Sequence, residues 1–156
     1  MTLRPRRSTD RDDRGAAAVE FALVMPFLLL IVFALIQYGF YFYSAQTGSN
    51  TVNVATRQLT VGNCDTQAEL DALVDDRLGA AQVGTADVDR YYYESDGTTF
   101  ISQQAVDAVV GGTVRVELRF HGIDLNFPLV PFLDDAEVYR EVTARVEDTT
   151  DEGCGS

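Results

Sequence analysis

Residues 14–43, RGAAAVEFALVMPFLLLIVFALIQYGFYFY, decide how this chain is organised. After Gly15 the run is apolar with one acidic residue, Glu20, near its start, and no charged residue or histidine follows until Arg57. From Phe21 to Ile36 every side chain is apolar apart from the ring of Pro26, and an aromatic-rich continuation reaches Tyr43. About 20 apolar residues, rising roughly 1.5 Å each, cross a hydrocarbon core about 30 Å thick. The chain therefore begins with a helix suited to a lipid bilayer.

Three kinds of membrane segment have to be told apart: a cleaved secretory signal, a permanent anchor, and a signal cut on the cytoplasmic side. A secretory signal has a shorter apolar region and a small-residue cleavage site after it. This run is longer and closes on YGFYFYSAQ, where Ser44-Ala45-Gln46 makes a poor site. Arg4, Arg6, Arg7, Arg11 and Arg14 precede it. Basic residues hold their flank in the cytoplasm, and the opposing Asp10, Asp12 and Asp13 count for little. Tyr38, Phe40, Tyr41, Phe42 and Tyr43 suit the outer interface. Everything from about Ser44 onward is then expected outside the cytoplasmic membrane.

Glu20 separates a plain anchor from something more specific. A carboxylate just inside an apolar helix is explained by the cytoplasmic headgroup level and the positive helix end, but its spacing from Gly15 invites a second reading. Gly15, then small and apolar residues, then Glu20-Phe21 and an unbroken apolar helix resembles the processing site of type IV pilins. More closely, residues 14–57 resemble the N-terminal segment of the TadE/TadG-like family, minor pseudopilins of the tight-adherence (Tad, Flp) pilus. The resemblance implies cleavage by a prepilin peptidase between Gly15 and Ala16, with Glu20 and Phe21 as the processing and assembly motif. It also implies as partners the major pilin, other minor pseudopilins and an inner-membrane assembly platform. A physical rationale accompanies it. Cleavage exposes an ammonium at Ala16, one helical turn from Glu20, and opposite charges in a poorly hydrated region attract strongly against their desolvation cost. An ammonium from a neighbouring subunit meeting Glu20 fixes the stagger between helices. Pro26 removes one helical hydrogen bond and favours a kink, which neighbouring groups in a membrane tolerate. Gly39 and Gly48 stand either for close helix contact or for local weakness.

The whole chain of 156 residues carries a net charge of −12, concentrated after the Arg-rich leader. An acidic outer portion argues against nucleic acid or anionic lipid headgroups as its partner, since both select basic patches. Cys64 and Cys154 both fall in the expected oxidising compartment, where a disulfide between them would enclose about 90 residues; free thiols or an intermolecular bridge are the alternatives. No Cys-x-x-Cys spacing supports zinc or thiol exchange.

Beyond the membrane run, Val52, Ala55 and Leu59 keep helical spacing, so the helix is expected to continue as an amphipathic stalk until Asn63–Asp65 break it. Thr66-Gln67-Ala68-Glu69 matches a capping box before a helix over about 67–81, with Leu70, Leu73, Val74 and Leu78 on one face. The period then changes to two. Val88, Arg90 and Tyr92 alternate with Asp87, Asp89 and Tyr91, and Asp96-Gly97 signals a hairpin into Thr98–Ile101. Residues 103–110 suit a short helix or a strand, with a helix ended by Gly111-Gly112 preferred. Val114, Val116, Leu118 and Phe120 mark a strand, and residues 136–147 another, with Val138, Glu141-Val142, Ala144 and Val146 on its apolar side. The expected fold is α+β and pilin-like: a long transmembrane and stalk helix, a short helix, and a small antiparallel sheet. Its divisions are a cytoplasmic leader (1–15), the transmembrane and stalk helix (16–62), and an extracytoplasmic domain (63–156).

IDLNFPLVPFL, residues 123–133, is rich in large apolar side chains, and Pro128 and Pro131 keep it out of a central strand. It packs either on the sheet and stalk, or against another pilin or the outer leaflet. Catalysis finds little support. His121 is the only histidine, no nucleophile–base set assembles around it, and neither phosphate-loop motif is present. Asp75-Asp76, Asp87 with Asp89, and Asp134-Asp135 lack the spacing of a calcium loop. No cofactor or metal is implied. The expected role is a non-enzymatic pseudopilin in pilus assembly or a related secretion system. The rival is a single-pass anchored binding or sensory module in which Glu20 is incidental.

Overall fold

The computed structural model describes residues 9–61, 66–104, 108–127 and 135–147, and the side chains from Gly15 onward. Helix α1, Thr9–Thr60, is one continuous element of 52 residues with Pro26 inside it. At about 1.5 Å per residue it measures roughly 78 Å. Its two halves live in different surroundings. Val19, Phe21, Leu23, Phe27 and Leu35 are exposed by 62 to 72 %, whereas Val52, Ala55 and Leu59 are at most 3 % exposed. The expected stalk is thus the central helix of the outer fold rather than a bare spacer.

Helix α2, Gln67–Leu78, begins at the expected capping box. The Thr66 amide donates to Glu69 Oε2 at 2.7 Å, and the Glu69 amide donates back to Thr66 Oγ1 at 3.3 Å. These bonds satisfy two amides that have no partner inside the helix. The Thr66 amide, and then the Thr66 hydroxyl donating to the same oxygen at 3.0 Å, pull the Glu69 carboxyl below its ordinary pKa. A 3-10 turn, Gly79–Ala81, leads into the sheet. Strands β1 (Val83–Tyr93), β2 (Phe100–Ser102), β3 (Thr113–His121) and β4 (Glu137–Arg145) lie in the order β2-β1-β3-β4, every pair antiparallel.

Alternation puts one face of the sheet against both helices. Val88 and Tyr92 of β1, Val114, Val116, Leu118 and Phe120 of β3, and Val138 of β4 join Leu70, Val74 and Leu78 of α2 around the upper half of α1. Register makes the layer continuous, with Val116 opposite both Arg90 and Val142 and Phe120 opposite Val138. Small residues on α1 permit the approach. A Cβ at Gly48 would come within 2.6 Å of the Phe120 ring, and one at Gly122 within 2.8 Å of Ser44 Oγ. The result is a two-layer α+β fold threaded by its own N-terminal helix.

Two expectations change. Gln103 and Gln104 form a bend and Val110-Gly111 a turn, so the described residues at both ends of 103–110 are not helical. Backbone pairing accounts for the end next to β3: the Gly111 amide donates to Val146 C=O and the Gly112 amide to Val109 C=O, closing a turn where a helix would have continued. In β4, Glu141 faces out; Arg140 takes the inward position because alternation is kept from Val138 to Val146. Cys64, Cys154, the break at 63–65 and residues 128–134 lie outside the described residues.

Candidate functional site

The lower half of α1 carries the residues singled out for processing and assembly. Gly15, Ala16, Glu20 and Phe21 are all exposed and helical. Ala16 and Glu20 are four residues apart on one helix, which stacks them on the same face. No atom lies within 4 Å of where a Gly15 Cβ would stand, so the backbone there is open to approach. Around Pro26, Met25 and Phe27 point into the surroundings at 43 and 72 % exposure.

At the upper end of the apolar run the surroundings change abruptly. Leu35 is 69 % exposed, yet Gln37, half a turn on, is 1 % exposed. Its amide grips the chain leaving β3: Nε2 donates to Ile123 C=O at 3.3 Å, and Oε1 accepts from the Leu125 amide at 2.9 Å. One turn below, Phe33 stacks on Phe127 with ring centroids 4.7 Å apart and planes 10° from parallel. Higher up, Ser44 Oγ donates to Ala81 C=O at 2.7 Å and Arg140 Nε donates to Ser49 Oγ at 2.9 Å. The α+β fold is therefore fastened to α1 from Phe33 to its end, where the Glu147 amide donates to Thr60 C=O.

The other candidates have structural surroundings. His121 is exposed, its Nδ1 3.3 Å from Asp135 C=O. Tyr92 is buried in the core, while Tyr91 and Tyr93 lie on the outer sheet face beside Phe100. Arg90 faces inward, as alternation demands, and donates from Nε to Gln103 C=O at 3.1 Å. It borders a cleft of about 350 Å³ shared with Gln67, Asp71, Asp87, Asp89 and Gln103. Gln67 Nε2 already bonds Asp71 Oδ1 and Val88 C=O there. Among the described residues, no three His, Cys, Asp or Glu groups come together as a metal site.

The family described as TadE-like protein matches residues 15–57. This segment is TadE-like. The TadE-like match starts at the candidate processing glycine and ends inside α1, so it covers neither α2 nor the sheet. No curated protein and no solved structure matches the chain. Among the described residues α1 is the one helix long and apolar enough to cross a membrane. Together with the TadE-like match, it fits a membrane protein associated with the Tad pilus. Sequence reasoning missed Gln37: as an uncharged residue it left the apolar run unbroken, yet it is the one amide between Glu20 and Gln46, which was the available signal.

Proposed function

We propose that this chain is a non-enzymatic minor pseudopilin of a tight-adherence pilus or a related secretion machine. Helix α1 anchors it in the cytoplasmic membrane with the leader inside and the outer fold outside. A prepilin peptidase removes residues 1–15, and Glu20 then sets the register of α1 against the major pilin or other minor pseudopilins on the inner-membrane platform. One observation supports this most: the TadE-like match begins at Gly15, where α1 turns into an exposed apolar run whose single carboxylate from Gly15 onward is Glu20. An exposed apolar surface of this length needs either lipid or neighbouring helices to cover it. The same reading places Cys64 and Cys154 in an oxidising compartment and pairs them.

N-terminal sequencing of protein purified from membranes tests the reading. Mature material is expected to start at Ala16; an intact leader in cells with an active peptidase would leave only an anchored outer module. Glu20→Gln is expected to be cleaved as the parent is, yet to lose co-purification with pilus components. Undiminished recovery with those components would remove the register role from Glu20.

A further inference from the structure

We propose that residues 122–127, the start of the connection between β3 and β4, form a strap that dips into the outer leaflet of the phospholipid bilayer and is held there by Gln37. The proposal rests on the reading that α1 crosses the membrane from about Gly15. A hydrocarbon core about 30 Å thick uses about 20 helical residues, which from Gly15 ends near Leu35. Phe33 and Gln37 bracket that level, and both are covered by the strap. Strand β3 runs toward the membrane side, since Phe120 meets Gly48 and Gly122 meets Ser44 before Ile123 reaches Gln37. The connection thus continues past the base of the outer fold, down the surface of α1.

Polar backbone at the edge of the hydrocarbon is short of water, so partners within the protein favour it there. Several backbone groups of the strap have such partners. Ile123 C=O and the Leu125 amide share the two ends of the Gln37 amide, and the Asn126 amide donates to Asp124 Oδ1 at 2.8 Å. The Gly122 amide donates to Ala136 C=O and closes the neck of the connection. Gln37 itself, a costly side chain in an apolar helix, is left with neither donor nor acceptor end unmatched. The apolar side chains point to the occupant. Leu125 is 41 % exposed, and on the neighbouring stretch of α1 so are Leu35 at 69 % and Ile36 at 41 %. Strap and helix therefore both expose apolar side chains near this depth, with Asp124 and Asn126 exposed between and beside those of the strap.

The chain has no tryptophan, so a single introduced one reports its own surroundings. The full-length protein would be reconstituted in phosphatidylcholine and phosphatidylglycerol vesicles carrying lipids brominated at shallow or deep acyl positions. Three single-tryptophan variants are compared: Phe127→Trp in the strap, Leu28→Trp in the membrane run, and Phe100→Trp at the far end of the sheet. Phe127→Trp is expected to emit at shorter wavelength than Phe100→Trp and to lose intensity mainly to the shallow quencher. Leu28→Trp should respond mainly to the deep one. Adding Gln37→Leu, which keeps the helix apolar, is expected to abolish the quenching at position 127. If Leu28→Trp is quenched and Phe127→Trp is not, the anchor stands and the strap proposal fails. If neither is quenched, the anchor reading itself fails. Blue-shifted but unquenched emission at position 127 would assign the site to protein, such as a second copy, and overturn lipid as its occupant.

Discussion

Gly48 shows what a single hydrogen decides in this fold. The Phe120 ring lies where its Cβ would be, with two ring carbons 2.6 and 2.9 Å away and Val138 Cγ1 at 3.6 Å. Phe120 is 2 % exposed and cannot swing out without opening the core between α1 and the sheet. Gly48→Val should therefore cost about 1 to 3 kcal/mol, the usual range for overpacking a filled core. Thermal unfolding of the detergent-solubilised protein, followed by far-UV circular dichroism, would measure it; an unchanged midpoint would mean that the helix and sheet are not in contact there. In the sequence Gly48 was ambiguous between close contact and local weakness, because the partner that resolves it lies far along the chain in β3. The role of Gln37 was hidden for the same reason. As the one amide in the run it stood out, but its two bonds reach Ile123 and Leu125, and nothing local names partners so distant.

Elements whose identity depends on near neighbours were legible, and the hairpin between β1 and β2 is the clearest. Asp96 accepts hydrogen bonds from the hydroxyls and amides of both Thr98 and Thr99 at 2.6 to 3.0 Å. The Thr99 hydroxyl and amide, then the Thr98 amide, hold its carboxyl well below the usual carboxylate range. With the folded pKa depressed, the turn's contribution is complete above the unfolded value of about 3.9 and fades as pH falls below it toward the folded pKa. Amide resonances of Thr98 and Thr99 should therefore stay in place through a titration from pH 6 to pH 3. A midpoint near pH 4 for those amides would show that the carboxylate does not cap the turn. The capping box of α2 and the alternation of β3 were equally readable, since each is written within a few residues. The approach to β3 was not, because Gly111 pairs with Val146, a partner far along the chain that no local spacing reveals.

At the scale of the molecule, the fold closes where α1 ends. The Glu147 amide donates to Thr60 C=O at 2.9 Å, so the last described residues return beside the top of the helix that began the chain. Cys64 lies four residues beyond Thr60 and Cys154 seven beyond Glu147. An extended chain spans about 3.3 to 3.6 Å per residue, so two such short arms from adjacent points reach one another readily. A bridge between them would close a loop of about 90 residues and stabilise the fold by roughly 4 to 5 kcal/mol in the chain-entropy account. Protein recovered from membranes without reductant should therefore resist thiol alkylation until reduced, and its monomer should migrate faster without reductant than with it. Cys64→Ser combined with Cys154→Ser should lower the thermal midpoint and remove the mobility difference. Two alkylatable thiols in unreduced monomer would sink the pairing, and a dimer that reductant dissolves would assign the bridge to neighbouring copies.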